Sequence, residues 1–589
     1  MLKQGFSESL HERTRNFSLL VSLKFCITFI FIMSENYTIN YQNILRRIRG
    51  GESVRPLELL PFLMAERRNE RSRINADLAR AYSEAGNFAQ AKIFISRALN
   101  LSDFSKDLLD LYIEIHASLR DIESLRSIYK LLGLKACREG NINEALNCFN
   151  KWQYAYASHL KMDRFEADPE ILRSVQALAE PIKFKHYYNG RRGNGKLRIA
   201  YLIYGMTHHN SVLVKINRMF ARYHDKQNFD VSFFIPDRRK LVLSMKEARQ
   251  TVRYFMDNNC GVSIASHSIS RLKRIKSIAK RIYDFQPDVL ITSALLADFE
   301  HYFIASLRPA PVTIGLIQGP PDQFAAPDLD WAISWSKHPL IDAPCDCSLV
   351  KLGINLPERS LSRTANRSNF NINESCIVAM SVGRYVKFQD IGFWAAIIEL
   401  LHSVDNLCYV VVGANREEIP VLNNLLHGEI ESRIKLLGWR SDCLEIMQMA
   451  DIIIDTYPSG GGHVLVDAMA LGIPFVSFEN DYMQKYDQTN WSVADEFTQI
   501  TELIVPRSDF KQFNRLVSKL ITDHEYRIDM GQLCKDSITT TMKDQESSVR
   551  DFEQIIREVI SQKKQAGSLF RSELKSFVDW FMFGRIRKT

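Results

Sequence analysis

The stretch DTYPSGGGHVLVDAMALGIP, from Asp455 to Pro474, places three consecutive glycines between an apolar run, Ile452 to Ile454, and an apolar helix pattern. Glycine is costly to order, so three in a row predict that the backbone must stay bare at this point. The apolar run predicts a buried strand, and the residues from His463 onward predict a helix. A helix that begins at bare backbone presents unpaired N–H groups and the positive end of its dipole, which favour phosphate.

The residues after the glycines extend this prediction from phosphate to a nucleotide sugar. Asp467 lies four positions after His463 on the same helix face, where a carboxylate accepts hydrogen bonds from both hydroxyls of a ribose. Neither Lys-Ser nor Lys-Thr follows the glycines, which excludes a P-loop, and the first strand lacks a GxGxxG turn, which argues against a dinucleotide. We predict diphosphate contacts at Gly460, Gly461, Gly462 and His463.

Cations for the diphosphate are expected from other turns of the same sheet. The sequence SVGRYVK, residues 381–387, places Arg384 and Lys387 directly after the apolar run Cys376 to Val382. Parallel sheets bind their ligands at the carboxyl ends of the strands. Each cation on its own would be interpreted as a surface residue. The position after a strand favours Lys387 as a diphosphate ligand, with Arg384 beside it.

Working outward from the glycines, apolar runs alternate with helical patterns, which indicates an α/β fold with doubly wound sheets. One alternating set spans residues 196–356 and the second spans residues 375–545, with a polar linker between them. We predict two Rossmann-like domains with the ligand in the cleft between them. Residues 546–589 are expected to form a C-terminal helix and tail. The tail, Ser568 to Thr589, either packs back across the first sheet domain, which we favour, or lies on a membrane.

Residues 33–180 have helical patterns, which predict an all-α domain. Gly86 and Gly140 each end one helix pattern, and small residues, Ala91 and Ala145, stand at the same offset in the helix that follows. Such helix pairs resemble tetratricopeptide repeats, although the two glycines are 54 residues apart rather than at the usual period of about 34. Two interpretations remain equal at this point: a helical packing domain, and a platform for a partner or substrate.

Residues 1–32 form a hydrophobic extension or anchor that precedes a second methionine, Met33. The run from Phe17 to Met33 is apolar and follows basic residues, as in signal or anchor segments, but Lys24 interrupts it and its length is at the lower limit for a spanning helix. We favour an upstream extension and a protein that starts at Met33. This interpretation predicts a cytoplasmic protein. The alternative is membrane association through residues 17–33.

Composition narrows the classes of function. The chain has 589 residues, a formal charge of +8 and ten scattered cysteines. This charge is modest for the length, and no basic run with interleaved aromatics is present, so nucleic-acid binding is not expected. Cys345 and Cys347 form a close pair without further ligands at zinc-site spacing, which favours reduced thiols over a metal site.

Several motifs together resemble one family of enzymes. The segment LRPAPVTIGLIQGPPDQFAAPDLDWAISW, from Leu307 to Trp335, is similar to one in O-GlcNAc transferase, the SPINDLY-type enzymes and related bacterial protein glycosyltransferases. LRIAYLIYGMTHHNSV is similar to the first strand of that family and its histidine turn, VGRYVK to its lysine turn, and the glycine stretch to its nucleotide loop and helix. The resemblance covers about residues 196–560, and the helical region more loosely. It implies a GT-B fold, with the acceptor on the first sheet domain and the nucleotide sugar on the second.

The resemblance assigns the roles of the family's site residues to the matching positions of this sequence. Lys387 resembles the lysine that binds the diphosphate, and Asp467 resembles the aspartate that binds the ribose. His463 falls one position from the family's histidine, and Arg384 stands where the animal enzyme has glutamine. His208, with His209 beside it, matches the histidine after the first strand. Retaining GT-B enzymes are the rival group, but they carry an acidic residue eight positions before the ribose carboxylate, where this chain has Ser459.

The resemblance implies transfer of a hexose or N-acetylhexosamine from a UDP-sugar to a protein side chain, with inversion and without a metal or cofactor. His208 or His209 is expected to accept the acceptor's proton, or else to cap a helix or contact the sugar. Gln318 and Gly319 follow a strand and are expected to contact sugar or acceptor. Two alternatives remain: transfer to a lipid or polysaccharide precursor at the membrane, and a non-catalytic scaffold.

Overall fold

The computed structural model describes residues 37–64, 67–102, 105–156, 158, 167–186, 195–206, 212–268, 270–293, 298–317, 329–334, 345–350, 353, 366–426, 428–458, 460–479, 500–541 and 544–583. These residues form two compact units, which divide between Tyr129 and Lys130. The helices that precede the first strand are α1 (Tyr37–Arg49), α2 (Pro56–Leu63), α3 (Arg68–Glu84), α4 (Phe88–Asn100), α5 (Lys106–Ser118), α6 (Ile122–Arg138), α7 (Ile142–Ala155) and α8 (Pro169–Ala179).

In the first unit, α3 and α4 form a helical hairpin. Gly86 makes the turn with a φ of +73°, a conformation that favours glycine. Ala79 on α3 and Ala91 and Ile95 on α4 are fully buried. The ring of Tyr82 stacks on that of Phe94 at a centroid distance of 5.5 Å. The hairpin predicted around Gly86 is therefore present.

A similar hairpin lies in the second unit, where Gly140 makes the turn before α7 with a φ of +70°. Gly133 on α6 lies against Phe149 on α7, and a Cβ atom at position 133 would be 2.3 Å from the ring. Glycine is therefore required where these two helices cross. The helical prediction for the chain before the sheets is confirmed in the residues that the structure describes.

The second unit contains two parallel sheets. The strands of the first sheet lie in the order β3-β2-β1-β4-β5-β6-β7. They are β1 (Leu197–Leu202), β2 (Phe229–Ile235), β3 (Gly261–Ile264), β4 (Val289–Thr292), β5 (Val312–Ile317), β6 (Trp331–Ser334) and β7 (Cys347–Leu349). The helices of this domain are α9 (Val212–Tyr223), α10 (Arg239–Ser244), α11 (Lys246–Asp257), α12 (Arg271–Phe285) and α13 (Phe299–Ser306).

The second sheet has the order β10-β9-β8-β11-β12-β13. Its strands are β8 (Ile377–Val382), β9 (Leu407–Val412), β10 (Ile434–Leu436), β11 (Ile452–Ile454), β12 (Phe475–Phe478) and β13 (Ile504–Val505). Its helices are α14 (Ile391–Ser403), α15 (Glu429–Arg433), α16 (Cys443–Met447), α17 (Gly462–Ala470), α18 (Phe510–Thr522) and α19 (His524–Thr541). In both sheets the described strand pairs are parallel and the chain crosses over through helices, so the predicted pair of Rossmann-like domains is confirmed.

The sequence prediction missed some short strands at the sheet edges. The sequence analysis identified no strand at β3, whose four residues are mostly half-buried or exposed. β13 has two residues. Segments this short, packed on one side only, lack the long apolar run by which a buried strand is recognised.

The last helix, α20 (Gln545–Phe583), returns to the first sheet domain. Val549, Phe552 and Ile556 are buried in the same apolar core as β1 and α9. Gly353 lies against the start of this helix, because a Cβ atom on it would be 2.5 Å from the Cα atom of Gln545.

A buried polar chain also fixes α20. The Tyr201 hydroxyl lies 2.6 Å from His224 Nε2, and His224 Nδ1 lies 2.8 Å from the Glu553 carboxylate. Burial lowers the pKa of His224 despite the carboxylate beside it. A neutral imidazole that accepts from the phenol and donates to the carboxylate satisfies all three groups.

Within the described ranges, none of the helices is long and apolar enough to cross a membrane. Residues 17–33, which were predicted to form an anchor or an extension, lie outside those ranges. The part of α20 between Val549 and Ile560 packs on the first sheet domain. The prediction about the tail concerned residues 568–589, whose side chains lie outside the part of the chain that the structure describes.

Truncation of Phe552 tests whether α20 belongs to the first sheet domain. Phe552 is 2% exposed, and its ring lies 4.6 Å from that of Phe220. We expect Phe552→Ala to lower the free energy of unfolding by about 3–5 kcal/mol in urea denaturation. Gln554→Ala, an exposed change on the same helix, should cost less than about 0.5 kcal/mol. Equal midpoints for the two variants would contradict the packing.

Candidate functional site

The glycine turn after β11 is built around a buried carboxylate, Asp455, which is 3% exposed. Its Oδ1 atom accepts hydrogen bonds from the amides of Thr456 and Gly461, each at 2.8 Å, and its Oδ2 atom accepts one from the Ser477 hydroxyl. A Cβ atom on Gly460 would lie 2.3 Å from Oδ2. Position 460 therefore requires glycine, because the Asp455 carboxylate of the same turn leaves no room for a side chain.

Lys387 joins this turn to the neighbouring one. It ends a short 3₁₀ turn, Tyr385–Lys387, that follows β8, and its ammonium group donates to the carbonyl of Gly460. Burial raises the pKa of Asp455, and the positive charge of Lys387 opposes this rise. The lysine predicted to bind a diphosphate thus also compensates the buried carboxylate beneath the glycines.

One of the amides predicted to contact an anion has a structural partner, because the amide of Gly461 donates to Asp455. α17 begins at Gly462, and the amides of a helix's first turn have no partners within the helix. The anion contact at Gly460 to His463 stays a prediction.

His463 and Asp467 lie on one face of α17, as their spacing predicted, and both line a cavity of about 390 Å³. The opposite wall comes from α9 of the first sheet domain, which contributes Lys215, Arg218 and Arg222. These cations lie at positions i, i+3 and i+7 of the helix, so they share one face. The sequence analysis missed them, although the basic stripe can be read from the spacing.

Burial and the positive charge of Lys215 shift the pKa values of two residues that line this cavity. Burial raises the pKa of Asp467 to about 6, and Lys215 opposes the rise. Burial and the same lysine lower the pKa of His463 to about 4. At neutral pH Asp467 is therefore mainly ionised and His463 is neutral. The Asp467 carboxylate can therefore accept hydrogen bonds from hydroxyl groups, and the His463 imidazole adds no charge to the cavity.

Arg384, after β8, faces the first sheet domain. Burial raises the pKa of the phenols of Tyr154 and Tyr204, and the charge of Arg384 opposes this effect on both. The two phenol oxygens lie 2.8 Å apart. Arg384 therefore lies within electrostatic range of Tyr204, which follows β1 in the first sheet domain.

The structure places Arg384, Lys387, the three glycines, His463 and Asp467 at the carboxyl edge of the second sheet. His208 and His209, together with Gln318 and Gly319, lie outside the described residues. Among the residues that are described, no group of three or more His, Cys, Asp or Glu side chains is arranged to hold a metal ion.

Comparisons with known proteins agree with this architecture. Residues 377–523 match the family model for glycosyl transferases group 1. A mutant of the Thermobaculum terrenum O-GlcNAc transferase is similar in structure, with a TM-score of 0.54 at 14% identity over 91% of this chain and 100% of that one. Anabaena HepE in complex with UDP-glucose has a TM-score of 0.45 at 12% identity over 62% of this chain and 100% of that one. A comparison with curated proteins gives no match.

The match over the second sheet domain shows that the protein is a glycosyltransferase. With two Rossmann-like domains and a helical region before them, it has the GT-B fold and resembles O-GlcNAc transferase in its architecture.

The role of Gly460 can be tested by stability alone. We expect Gly460→Ala to destabilise the protein by about 1–3 kcal/mol, because the new methyl group displaces the Asp455 carboxylate. Gly461→Ala is the matched control, since its Cβ atom would lie 3.6 Å from the nearest atom, on Val464. It should change stability by less than about 1 kcal/mol. Thermal unfolding of both variants measures the difference. Equal losses of stability would show that the Asp455 carboxylate does not require glycine at position 460.

Proposed function

We propose that the protein transfers a hexose or N-acetylhexosamine from a UDP-sugar to a protein side chain, with inversion and without a metal ion or cofactor. The observation that carries this proposal is that a fixed cation and a carboxylate lie at and along one helix: Lys387 donates to Gly460 just before α17, and Asp467 lies on α17 in a cavity also lined by cations. The cation suits the donor's diphosphate, and the carboxylate suits its ribose.

Departure of UDP requires stabilisation of the charge that develops on the diphosphate. Lys387 supplies a fixed positive charge, and the first turn of α17 supplies amides and the positive end of its dipole. Lys215 and Arg218 add charge from the facing helix α9. Cations fixed by the protein replace the divalent ion that other transferases use for this purpose.

The nucleoside is held by the ionised carboxylate of Asp467. Its half-buried position removes competing water, so hydrogen bonds from the 2′- and 3′-hydroxyls count for more than they would at the surface. Because the pKa of Asp467 lies near 6, the carboxylate can accept both hydroxyls at neutral pH.

The transfer itself is a single displacement. The acceptor's hydroxyl or amide loses a proton to His208 or His209, and its oxygen or nitrogen attacks the anomeric carbon from the face opposite the diphosphate. The carbon–oxygen bond to the diphosphate breaks, and its electron pair leaves with UDP. Histidine suits the proton transfer because it titrates near neutral pH.

The helical region before the sheets is proposed to hold the polypeptide acceptor, and the cytoplasm is the proposed location. The described cysteines are free thiols, including the buried Cys148, Cys260 and Cys408, in keeping with a reducing compartment.

Binding of UDP tests the donor site directly. We expect the full chain to bind UDP in calorimetry without a divalent metal, and Lys387→Ala to weaken binding by about tenfold or more, since a charge-assisted contact is lost. Lys511→Ala removes an exposed lysine of the same domain and should leave the affinity unchanged. Failure of the unmodified chain to bind UDP would favour a non-catalytic scaffold.

The pH dependence of donor binding tests Asp467. Protonation removes the charge that accepts the ribose hydroxyls, so affinity should be full above about pH 7 and fall as pH drops through about 6. Below that value we expect about a tenfold loss per pH unit, because only the ionised fraction binds. UDP-glucose and UDP-N-acetylglucosamine are suitable probes, since their diphosphates do not titrate in this range. Asp467→Asn should bind weakly with a flat profile, and a wild-type profile equally flat between pH 5 and 8 would contradict the role.

A further inference from the structure

The segment that follows β2 concentrates much of the positive charge of the chain. Residues 238–253 contain six cations and one carboxylate, Glu247, so their net charge is +5, against +8 for the whole chain. All six cationic residues are exposed. They are Arg238, Arg239, Lys240, Lys246, Arg249 and Arg253.

α10 and α11 bring these cations to one side of the first sheet domain. Lys246, Arg249 and Arg253 lie at positions i, i+3 and i+7 and therefore share one face of α11. The opposite face of the helix packs into the core through Phe255, which is fully buried. The guanidinium of Arg249 donates to the carbonyl of Leu243 at 2.6 Å, which ties α10 to α11. The cations of residues 238–240 thus continue the stripe on α11.

No carboxylate of the described chain neutralises these six cations. None of them forms an ion pair with a residue that the structure describes. Like charges held close together repel one another, and salt weakens this repulsion without removing it. An anionic surface placed against these residues would relieve the repulsion, so the charge favours an anionic partner.

Apolar side chains are exposed among the cations. α10 contains the run Leu241-Val242-Leu243, of which Val242 is fully buried in the core of the first sheet domain. Leu241 is 46% exposed and Leu243 is 37% exposed. Met256 is also exposed and lies seven residues after Arg249, on the same face of α11. The core of the protein accounts for Val242 but not for its two neighbours.

We propose that this basic patch, formed by the six cations with Leu241 and Leu243, docks on the surface of a membrane that contains anionic lipids. Cations attract acidic headgroups, and exposed leucines insert at the boundary between headgroups and acyl chains. The cytoplasmic leaflet of a membrane has a negative surface potential, which agrees with the proposed cytoplasmic location. An acidic polypeptide would neutralise the cations but would leave the leucines without an apolar partner. The inference uses neither residues 17–33 nor the tail.

Vesicle flotation of the full chain tests the inference. The protein should bind vesicles of phosphatidylcholine and phosphatidylglycerol more tightly than vesicles of phosphatidylcholine alone, and added salt should weaken the binding. Arg239→Gln combined with Lys246→Gln should weaken it by about fivefold for each cation removed. Leu241→Ser combined with Leu243→Ser should weaken it by about tenfold, because less apolar surface leaves water.

The matched control removes two exposed cations from the other side of the same domain. Lys273→Gln combined with Lys276→Gln changes α12, through which the chain crosses back from β3 to β4. Because such crossovers are right-handed, α12 lies on the face of the sheet opposite α11. This variant should bind the anionic vesicles as tightly as the unmodified chain. Thermal unfolding should give the same midpoint for all three variants, since every changed residue is exposed.

Three outcomes would contradict membrane docking by the basic patch. The first is equal binding to vesicles with and without phosphatidylglycerol. The second is binding that neither patch variant weakens, or that the α12 variant weakens equally, since another part of the chain would then make the contact. The third is binding of polyglutamate but not of vesicles, with loss in the cation variant, which would assign the patch to an acidic polypeptide. Binding of anionic vesicles that both patch variants weaken and the α12 variant retains supports the proposal.

Discussion

The glycine turn of this glycosyltransferase depends on one buried carboxylate. Asp455 accepts hydrogen bonds from two backbone amides and a hydroxyl and leaves no room for a side chain at Gly460. Lys387 compensates its charge and is thereby held beside the helix that begins at Gly462. A single buried carboxylate thus fixes the shape of the turn and the place of a cation. Charge held in this way suits the diphosphate of the proposed donor, because it does not have to be rearranged on binding.

Much of this arrangement could be predicted from the sequence, because its signals are local. The apolar runs identified the central strands, and the four-residue spacing placed His463 and Asp467 on one face. The purpose of Gly460 could not be predicted, because it depends on the rotamer of Asp455, five residues earlier. Lys215 belongs to the other sheet domain, and its proximity to Asp467 arises only from tertiary folding.

Two cavities of the sheet domains differ in charge. Cations from α9 outnumber Asp467 in the wall of the first, whereas the second, of about 520 Å³ beside Asp237, is lined by equal numbers of cations and carboxyl groups. α9 follows β1, and Tyr204 lies just after that strand, so a short stretch of chain separates the two environments. The charge of the first cavity therefore favours an anionic ligand.

The contact between Gly353 and Gln545 brings two distant parts of the sequence together. A Cβ atom on Gly353 would lie 2.5 Å from the Cα atom of Gln545, the first residue of α20, which is anchored by the buried core around Phe552. A residue larger than glycine at position 353 would therefore have to displace the start of the helix that completes this core.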